Sequence, residues 1–314
     1  MNGTQPPSCP SASTAEKIGA TFAYCLIFIV SLTSNTVIGI IVYKTKTMRK
    51  PINFFIVNTA MSDLLFPIIM IPLGIQGLYI DSWLIDGPLG QALCKLVVFL
   101  VHLSDAVSIQ NLVLIAVDRF GAVVFPLRSP LISSKLCPFY ILATWIVAIA
   151  VNFPELFALK LVEYPGKLVC ERRWNEVFGE SSSFENYLLS YKVVFTFIPL
   201  VLIAILYIII FLKLKSQKIP GEQSSNAGHQ RQQRERNVLK MAIAIVLGFA
   251  VCSLPFAIFW FIDMFTNIIK WPNCGIPYYL YVFYFISLAN CAVNPCICFI
   301  FSSNYRRELK ALLK

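Results

Sequence analysis

The sequence predicts an all-α membrane protein, a seven-transmembrane-helix bundle followed by a short amphipathic eighth helix. Two observations carry this expectation. Of the 314 residues, 57% are hydrophobic and only 13% charged, with a mean hydropathy of +0.71; a soluble domain of this length needs far more charged surface to stay dispersed. The apolar residues also fall in long blocks, and roughly 20 apolar residues are enough for a helix to cross the hydrocarbon core.

Read in order, the blocks place spans at Ile18–Val42, Ile52–Ile75, Leu93–Val124, Leu136–Phe157, Tyr187–Leu212, Val238–Ile262 and Ile276–Phe301. The third and seventh are the least apolar, since His102, Ser104, Asp105, Ser108, Gln110, Asn111, Asn290 and Asn294 lie within them. Polar groups at that depth must face protein or water rather than lipid, so these two helices should be central. Pro199, Pro255 and Pro295 interrupt the backbone hydrogen bonding of spans five, six and seven and should kink them. After span seven, Tyr305, Leu309 and Leu312 share one face while Arg306, Arg307 and Lys310 lie elsewhere, the pattern of an interfacial helix. The chain thus divides into an outer tail (1–17), the seven-span domain (18–301) and an amphipathic helix with inner tail (302–314). The stretch from Lys213 to Lys240 is polar, and its centre, SQKIPGEQSSNAGHQ, reads as a loop.

Charge sets the orientation. With the N-terminus outside, the inner segments carry 18 of the 26 Lys and Arg, among them Lys44, Lys46, Arg49, Lys50, Lys213, Lys215, Arg236 and Arg306. The inverted topology would break the positive-inside rule. The net charge of +10 is therefore mostly an inner-face feature, and nucleic-acid binding is not needed to explain it. The tail shows no cleavable signal peptide. Asn2-Gly3-Thr4 is a glycosylation sequon. Cys94, at the outer end of span three, and Cys170, in the next outer loop, lie on the oxidising side and are expected to bridge rather than remain free thiols. Cys9 and Cys274 are a second candidate pair. The loop around Cys170, from Lys167 to Trp174, alternates enough for a β-hairpin lid.

The order and spacing of landmarks across about residues 18–312 resemble the rhodopsin-like (class A) G-protein-coupled receptors. Asn35 fits the first span, although Ser34 stands where glycine is usual. Asn58-Thr59-Ala60-Met61-Ser62-Asp63-Leu64 resembles the second-span motif. Asp118-Arg119-Phe120, 25 residues after Cys94, resembles the inner Asp-Arg-Tyr triad. Trp145, Pro199 and Tyr207 fit spans four and five, Cys252-Ser253-Leu254-Pro255 matches part of the sixth-span motif, and Asn294-Pro295 begins the seventh-span one.

The resemblance implies a plasma-membrane receptor, N-terminus outside and C-terminus inside, coupled to a heterotrimeric G protein. Asp118, Arg119 and Phe120, with Tyr207 and Glu235, would form its coupling face. An Arg119–Glu235 ion pair between spans three and six would be a two-state latch; the alternative is that Arg119 only snorkels to the interface. Asp63, Ser108, Asn290 and Asn294 would form a polar network fit for an allosteric Na+, since oxygen ligands suit a hard cation. A hydrogen-bonded water network is the other reading, and no further cofactor is expected. Three departures stand out: Phe120 for tyrosine, Ser253 for tryptophan and Cys298 for tyrosine, the last removing the usual partner of Tyr207.

The position used by amine receptors of that family is Val101, and the retinal-linking position is Leu288, which disfavours an amine receptor and an opsin. Candidate ligand contacts are Gln76, Val101, Asp105, Glu155, Lys192, Phe259, Asp263 and Tyr281. Asp105, one turn below Val101, could meet a basic ligand group or pair internally, for instance with His102. The hairpin lid resembles those of the neuropeptide receptor group and points to a peptide with a basic or amidated end; a lipid or other small-molecule ligand is the alternative. A channel or pump would need a file of ionisable groups through the membrane, and only Asp63 and Asp105 are deep acids. With His102 and His229 the only histidines, no metal set or catalytic triad can form, and no enzyme is expected.

Overall fold

The computed structural model describes residues 13–80, 82–126, 130–216, 226–266 and 278–313; the side chains of 216, 226–232, 234, 235, 260, 263–266, 278–281 and 284 lie outside the description. Its elements are α1 (Thr14–Lys44), α2 (Pro51–Tyr79), α3 (Gly87–Val124), α4 (Cys137–Asn152), α5 (Glu155–Ala158), β1 (Leu159–Tyr164), β2 (Lys167–Arg172), α6 (Trp174–Phe178), α7 (Phe184–Lys192), α8 (Ile198–Ser216), α9 (Asn226–Thr266), α10 (Tyr278–Phe301) and α11 (Ser303–Leu312). Among the described residues, six helical segments are long and apolar enough to cross a membrane. Span seven is α10, whose part from Phe285 to Phe301 meets α11 at a bend of 97°.

The helices begin and break where the local chemistry dictates. Ser13 caps α1 through the Glu16 amide, and Glu16 returns the bond, a capping box that starts the helix four residues before the apolar run and inside the expected tail. Span four is not continuous to Phe157, because Pro154 interrupts it and the chain resumes as α5. Span five is also composite. A π-helical turn, Val193–Phe197, separates α7 from α8 immediately before Pro199, so the expected kink takes the form of a bulge that absorbs the missing donor. Helix α9 begins at Asn226, so residues 226–230 of the stretch read as loop are helical. Polar sequence without an apolar stripe gives no periodic signal for such an extension.

Helix α3 packs against α2, α4, α8 and α9, and α10 against α1, α2 and α9, so the two most polar spans are indeed central. Towards the inner side a continuous core joins Ile38, Phe55, Leu112, Ile115, Ile245, Phe249 and Tyr305. Large apolar side chains such as Phe22, Ile29, Phe139, Ile208, Phe211 and Val251 point outward, which suits lipid and would be costly in water. Asn58 ties three spans together: it accepts from Trp145 Nε1 (2.8 Å) and donates to Asn111 Oδ1 (2.9 Å) and Thr144 Oγ1 (3.3 Å). Helix α11 is docked by Tyr305, which is 1% exposed and donates to Asn53 Oδ1 at 3.2 Å; Leu309 packs on the same core while Leu312 stays exposed.

Candidate functional site

The outer end is covered by the expected hairpin. Strands β1 and β2 pair antiparallel from Leu159↔Arg172 to Tyr164↔Lys167, and Gly166 takes φ +84° in the two-residue turn, a conformation L side chains rarely adopt. Cys170 is bridged to Cys94, with Cα atoms 5.6 Å apart, which fixes the hairpin to the top of α3. The Gln91 side chain donates to Leu159 O (3.2 Å) and accepts from Leu161 N (2.8 Å). Ser82 Oγ accepts from Leu168 N (3.0 Å), and Trp83 N donates to Leu168 O (2.7 Å).

Several charges of the lid pair on its outer surface. Arg173 pairs with Glu171 and, at 3.3 Å, with Glu176, which Lys160 also meets at 2.7 Å. The Lys160 bond, with the Arg173 charge behind it, holds the Glu176 carboxyl below the usual carboxylate range. Glu171 bonding raises Arg173 above its ordinary value.

Below the lid the candidate residues separate. Glu155 is 1% exposed and turned onto the hairpin, accepting from Arg172 Nε at 3.0 Å, with His102 Nδ1 at 3.6 Å from its other oxygen. Of the two readings of Asp105, the internal pairing with His102 is not formed: His102 stands by Glu155 instead, because the break at Pro154 swings the Glu155 carboxylate towards α3. Gln76 is bound to Ser82 O at 2.7 Å. Lys192 lies over the Tyr191 ring at 5.5 Å. Half-buried Val101 and Asp105 remain on the inward side of α3, and among the described residues Asp105 makes no hydrogen bond or ion pair. Phe259 packs against Phe283 with ring centroids 5.8 Å apart. The side chains of Asp263 and Tyr281, and residues Asn2, Cys9 and Cys274, lie outside the described residues.

At mid-depth Asp63 is 3% exposed and accepts from Ser108 Oγ (3.3 Å) and Asn294 Nδ2 (2.9 Å). Ser62 Oγ and Ser108 Oγ are 3.0 Å apart, and Asn35 joins the cluster to α10 by donating to Cys291 O at 2.8 Å. The amide oxygens of Asn290 and Asn294 are buried and meet no donor among the described residues. At the inner end Arg119 Nε donates to Asp118 Oδ2 at 3.1 Å, and Phe120 stands edge-on to Phe125 at 5.8 Å. The Tyr207 hydroxyl is buried with no hydrogen-bond partner among the described residues. The Glu235 side chain lies outside them, so the expected latch has one described member.

Apolar spans with a lid bridged to span three, a buried mid-membrane aspartate and an inner Asp-Arg pair agree with what known sequences show. Residues 34–297 match the family model described as 7 transmembrane receptor (rhodopsin family). The chain belongs to the rhodopsin family of seven-transmembrane receptors. It is 30% identical over 312 residues to the QRFP-like peptide receptor of Branchiostoma floridae, covering 97% of this chain and 80% of that one. With the Neuropeptide FF receptor 2 of Mus musculus it shares 30% over 304 residues, 92% of this chain and 72% of that one. With the RYamide receptor of Drosophila melanogaster it shares 28% over 306 residues, 96% of this chain and 64% of that one. This rhodopsin-family chain is accordingly a multi-pass membrane receptor, of a family that is not an enzyme family. Sequence reasoning missed Arg172, Gln91 and Ser82 as the residues that seat its lid. Only the Arg172-Arg173 doublet beside Cys170 offered a signal, as a cation in search of a carboxylate.

Proposed function

We propose that the protein is a plasma-membrane receptor, N-terminus outside and C-terminus in the cytoplasm, that binds an extracellular neuropeptide and activates a heterotrimeric G protein through the inner ends of spans three, five and six. The observation that carries this reading is the kinship with three proteins named as receptors for peptides, each aligned over at least 92% of this chain. The lid fits this reading: a hairpin bridged to α3 covers the outer end of the bundle, as the resemblance to the neuropeptide receptor group implies. Asp105 is the acid at that depth that makes no hydrogen bond or ion pair among the described residues, which favours a basic ligand group. The cationic inner loops and α11 suit anionic lipid and an acidic partner surface.

The test is G-protein activation in cells expressing the receptor, against amidated and basic peptides including RYamide and neuropeptide FF. A peptide response is expected, and Asp105→Asn should shift the dose curve to the right by about tenfold, the value of one charge-assisted hydrogen bond. Silence to every peptide at normal surface expression would overturn the peptide ligand and favour a lipid or other small molecule. An unshifted curve would remove Asp105 from the site.

We also propose that Asp63 holds a sodium ion with Ser108, Asn290 and Asn294. The support is the donor set, a buried carboxylate and hydroxyl beside two buried amide oxygens without donors among the described residues, which suits a hard cation. When sodium is about ten times its dissociation constant, linkage adds about 1.4 kcal/mol to the ligand-free state. Purified receptor should therefore melt higher in NaCl than in choline chloride, and Asp63→Asn should erase the difference. Equal melting of the wild type in both salts would count against the ion.

A further inference from the structure

The lid is attached to the bundle in two different ways. Its near side is bonded through backbone groups, at Leu159, Leu161 and Leu168, and through the disulfide at Cys170. Its far side is joined to α5 by the bond from Arg173 N to Ala158 O at 2.7 Å and by one side chain, that of Arg172. Successive residues of a strand point to opposite faces, so Arg172 projects to the same face as Cys170, while Glu171 and Arg173 point to the other and pair with each other. Arg172 directs both Nε and a terminal nitrogen, each at 3.0 Å, onto Glu155 Oε2, and its guanidinium lies 3.9 Å from the centre of the Phe184 ring. It is thus bonded to α5 and stacked on α7 at once.

The segment after Arg172 is seated by the same contact. Trp174 is 7% exposed and enclosed by Phe178, Phe184 and Tyr187, at centroid distances of 4.4, 5.4 and 4.7 Å. The Tyr187 hydroxyl donates to Val151 O at 2.8 Å. Glu155 is the anionic centre of this seat, since its second oxygen faces His102 of α3. A buried carboxylate of this kind is costly to desolvate unless well partnered, and its hydrogen-bonding partner among the described residues, Arg172, comes from the lid, while His102 of α3 stands 3.6 Å from the other oxygen.

We propose that Glu155 is a positioning residue for ligand binding: through Arg172 it fixes the far side of the hairpin lid to spans three, four and five, and so governs how long a ligand stays beneath. It does not itself touch the ligand, being closed off by Arg172 and His102. Arginine is required at 172, because lysine offers neither two directed donors nor a planar group to stack on Phe184. The proposal rests on reading the space under the lid as the ligand site, and one arm of its test is independent of any ligand.

The first arm is hydrogen–deuterium exchange of the purified, ligand-free receptor. Glu155→Ala and Arg172→Ala should each speed exchange of the amides of 171–178 about tenfold while leaving 159–168 protected, and the double variant should be no worse than either single one, as for two halves of one interaction. The second arm is dissociation of labelled RYamide peptide. Both single variants and Arg172→Lys should release it about tenfold faster, since loss of a buried charge partner acts on the off-rate. If the alanine variants are retained inside the cell, Glu155→Gln and the pair Glu155→Gln with Arg172→Gln take their place in both arms, with a smaller effect expected of the single change. Unchanged exchange at 171–178, or additive single effects, would overturn the tether. Faster exchange with unchanged dissociation would make Glu155 a purely structural residue and overturn its positioning role. If the peptide does not bind the wild type, the peptide reading fails and the exchange arm alone decides the tether.

Discussion

Arg119→Ala is expected to abolish the G-protein response to any agonist at unchanged surface expression, while Asp118→Asn should raise ligand-free signalling about tenfold. The asymmetry follows from the inner end of α3. Asp118 is 7% exposed, and Arg119 Nε donates to its carboxylate at 3.1 Å, so in this conformation the guanidinium is turned onto its own helix. A charge-assisted bond of this type contributes about 1.5–3 kcal/mol. Removing the charge of the acceptor therefore shifts a two-state equilibrium by roughly a factor of ten towards the state in which Arg119 is released. Removing the arginine would take away the group that, on the proposed function, the released state presents to the G protein. Nucleotide exchange on a purified G protein, normalised to receptor density, measures both variants. A full agonist response from Arg119→Ala would show that this receptor couples by other residues. A silent Asp118→Asn would show that the intrahelical pair does not restrain it.

The features legible in the sequence and those that were not divide by the range of the interaction. The seven spans were legible because their apolar runs answer to bilayer thickness, a constraint that acts on each segment alone. The Cys94–Cys170 bridge was legible because the orientation read from the basic residues puts both on the oxidising side. The hairpin showed in the alternation around Cys170. The break of span four at Pro154 and the π-helical turn before Pro199 were not, because a proline in an apolar run states that the helix is disturbed without saying how. Glu155 shows the deeper limit. Its position at the outer end of span four suggested a ligand contact, yet it faces Arg172, 17 residues on, across a hairpin whose placement is a tertiary fact. Asn58 is similar: a motif member in sequence, but in the fold the acceptor for Trp145 and a donor to α3 and α4.

Gly90→Ala is expected to cause the largest structural loss on the outer face. A Cβ built at Gly90 would sit 1.8 Å from Ile85 O, 2.7 Å from Ile85 C and 3.0 Å from Leu161 Cδ2. The first two are backbone atoms and cannot rotate away, so the first turn of α3 or the strap before it must move. That strap carries Ser82 and Trp83, which bond Leu168 of the lid, while Leu161 belongs to β1 and Cys94 lies one turn further along α3. One methyl group therefore disturbs three attachments together, and overpacking of a closed site costs about 1–3 kcal/mol or more. Surface expression and melting temperature of Gly90→Ala should both fall well below wild type. Two controls separate crowding from mere loss of a glycine. Gly87 has φ +70° with nothing within 4 Å of its built Cβ, so Gly87→Ala should cost only backbone strain of about 1–2 kcal/mol. Gly19 has neither a positive φ nor a neighbour within 4 Å, and Gly19→Ala should be neutral or slightly stabilising, as expected inside a helix. If Gly90→Ala expressed and melted like Gly19→Ala, α3 and the strap would have to be further apart than this packing places them, and the strap could not hold the near side of the lid through Ser82 and Trp83.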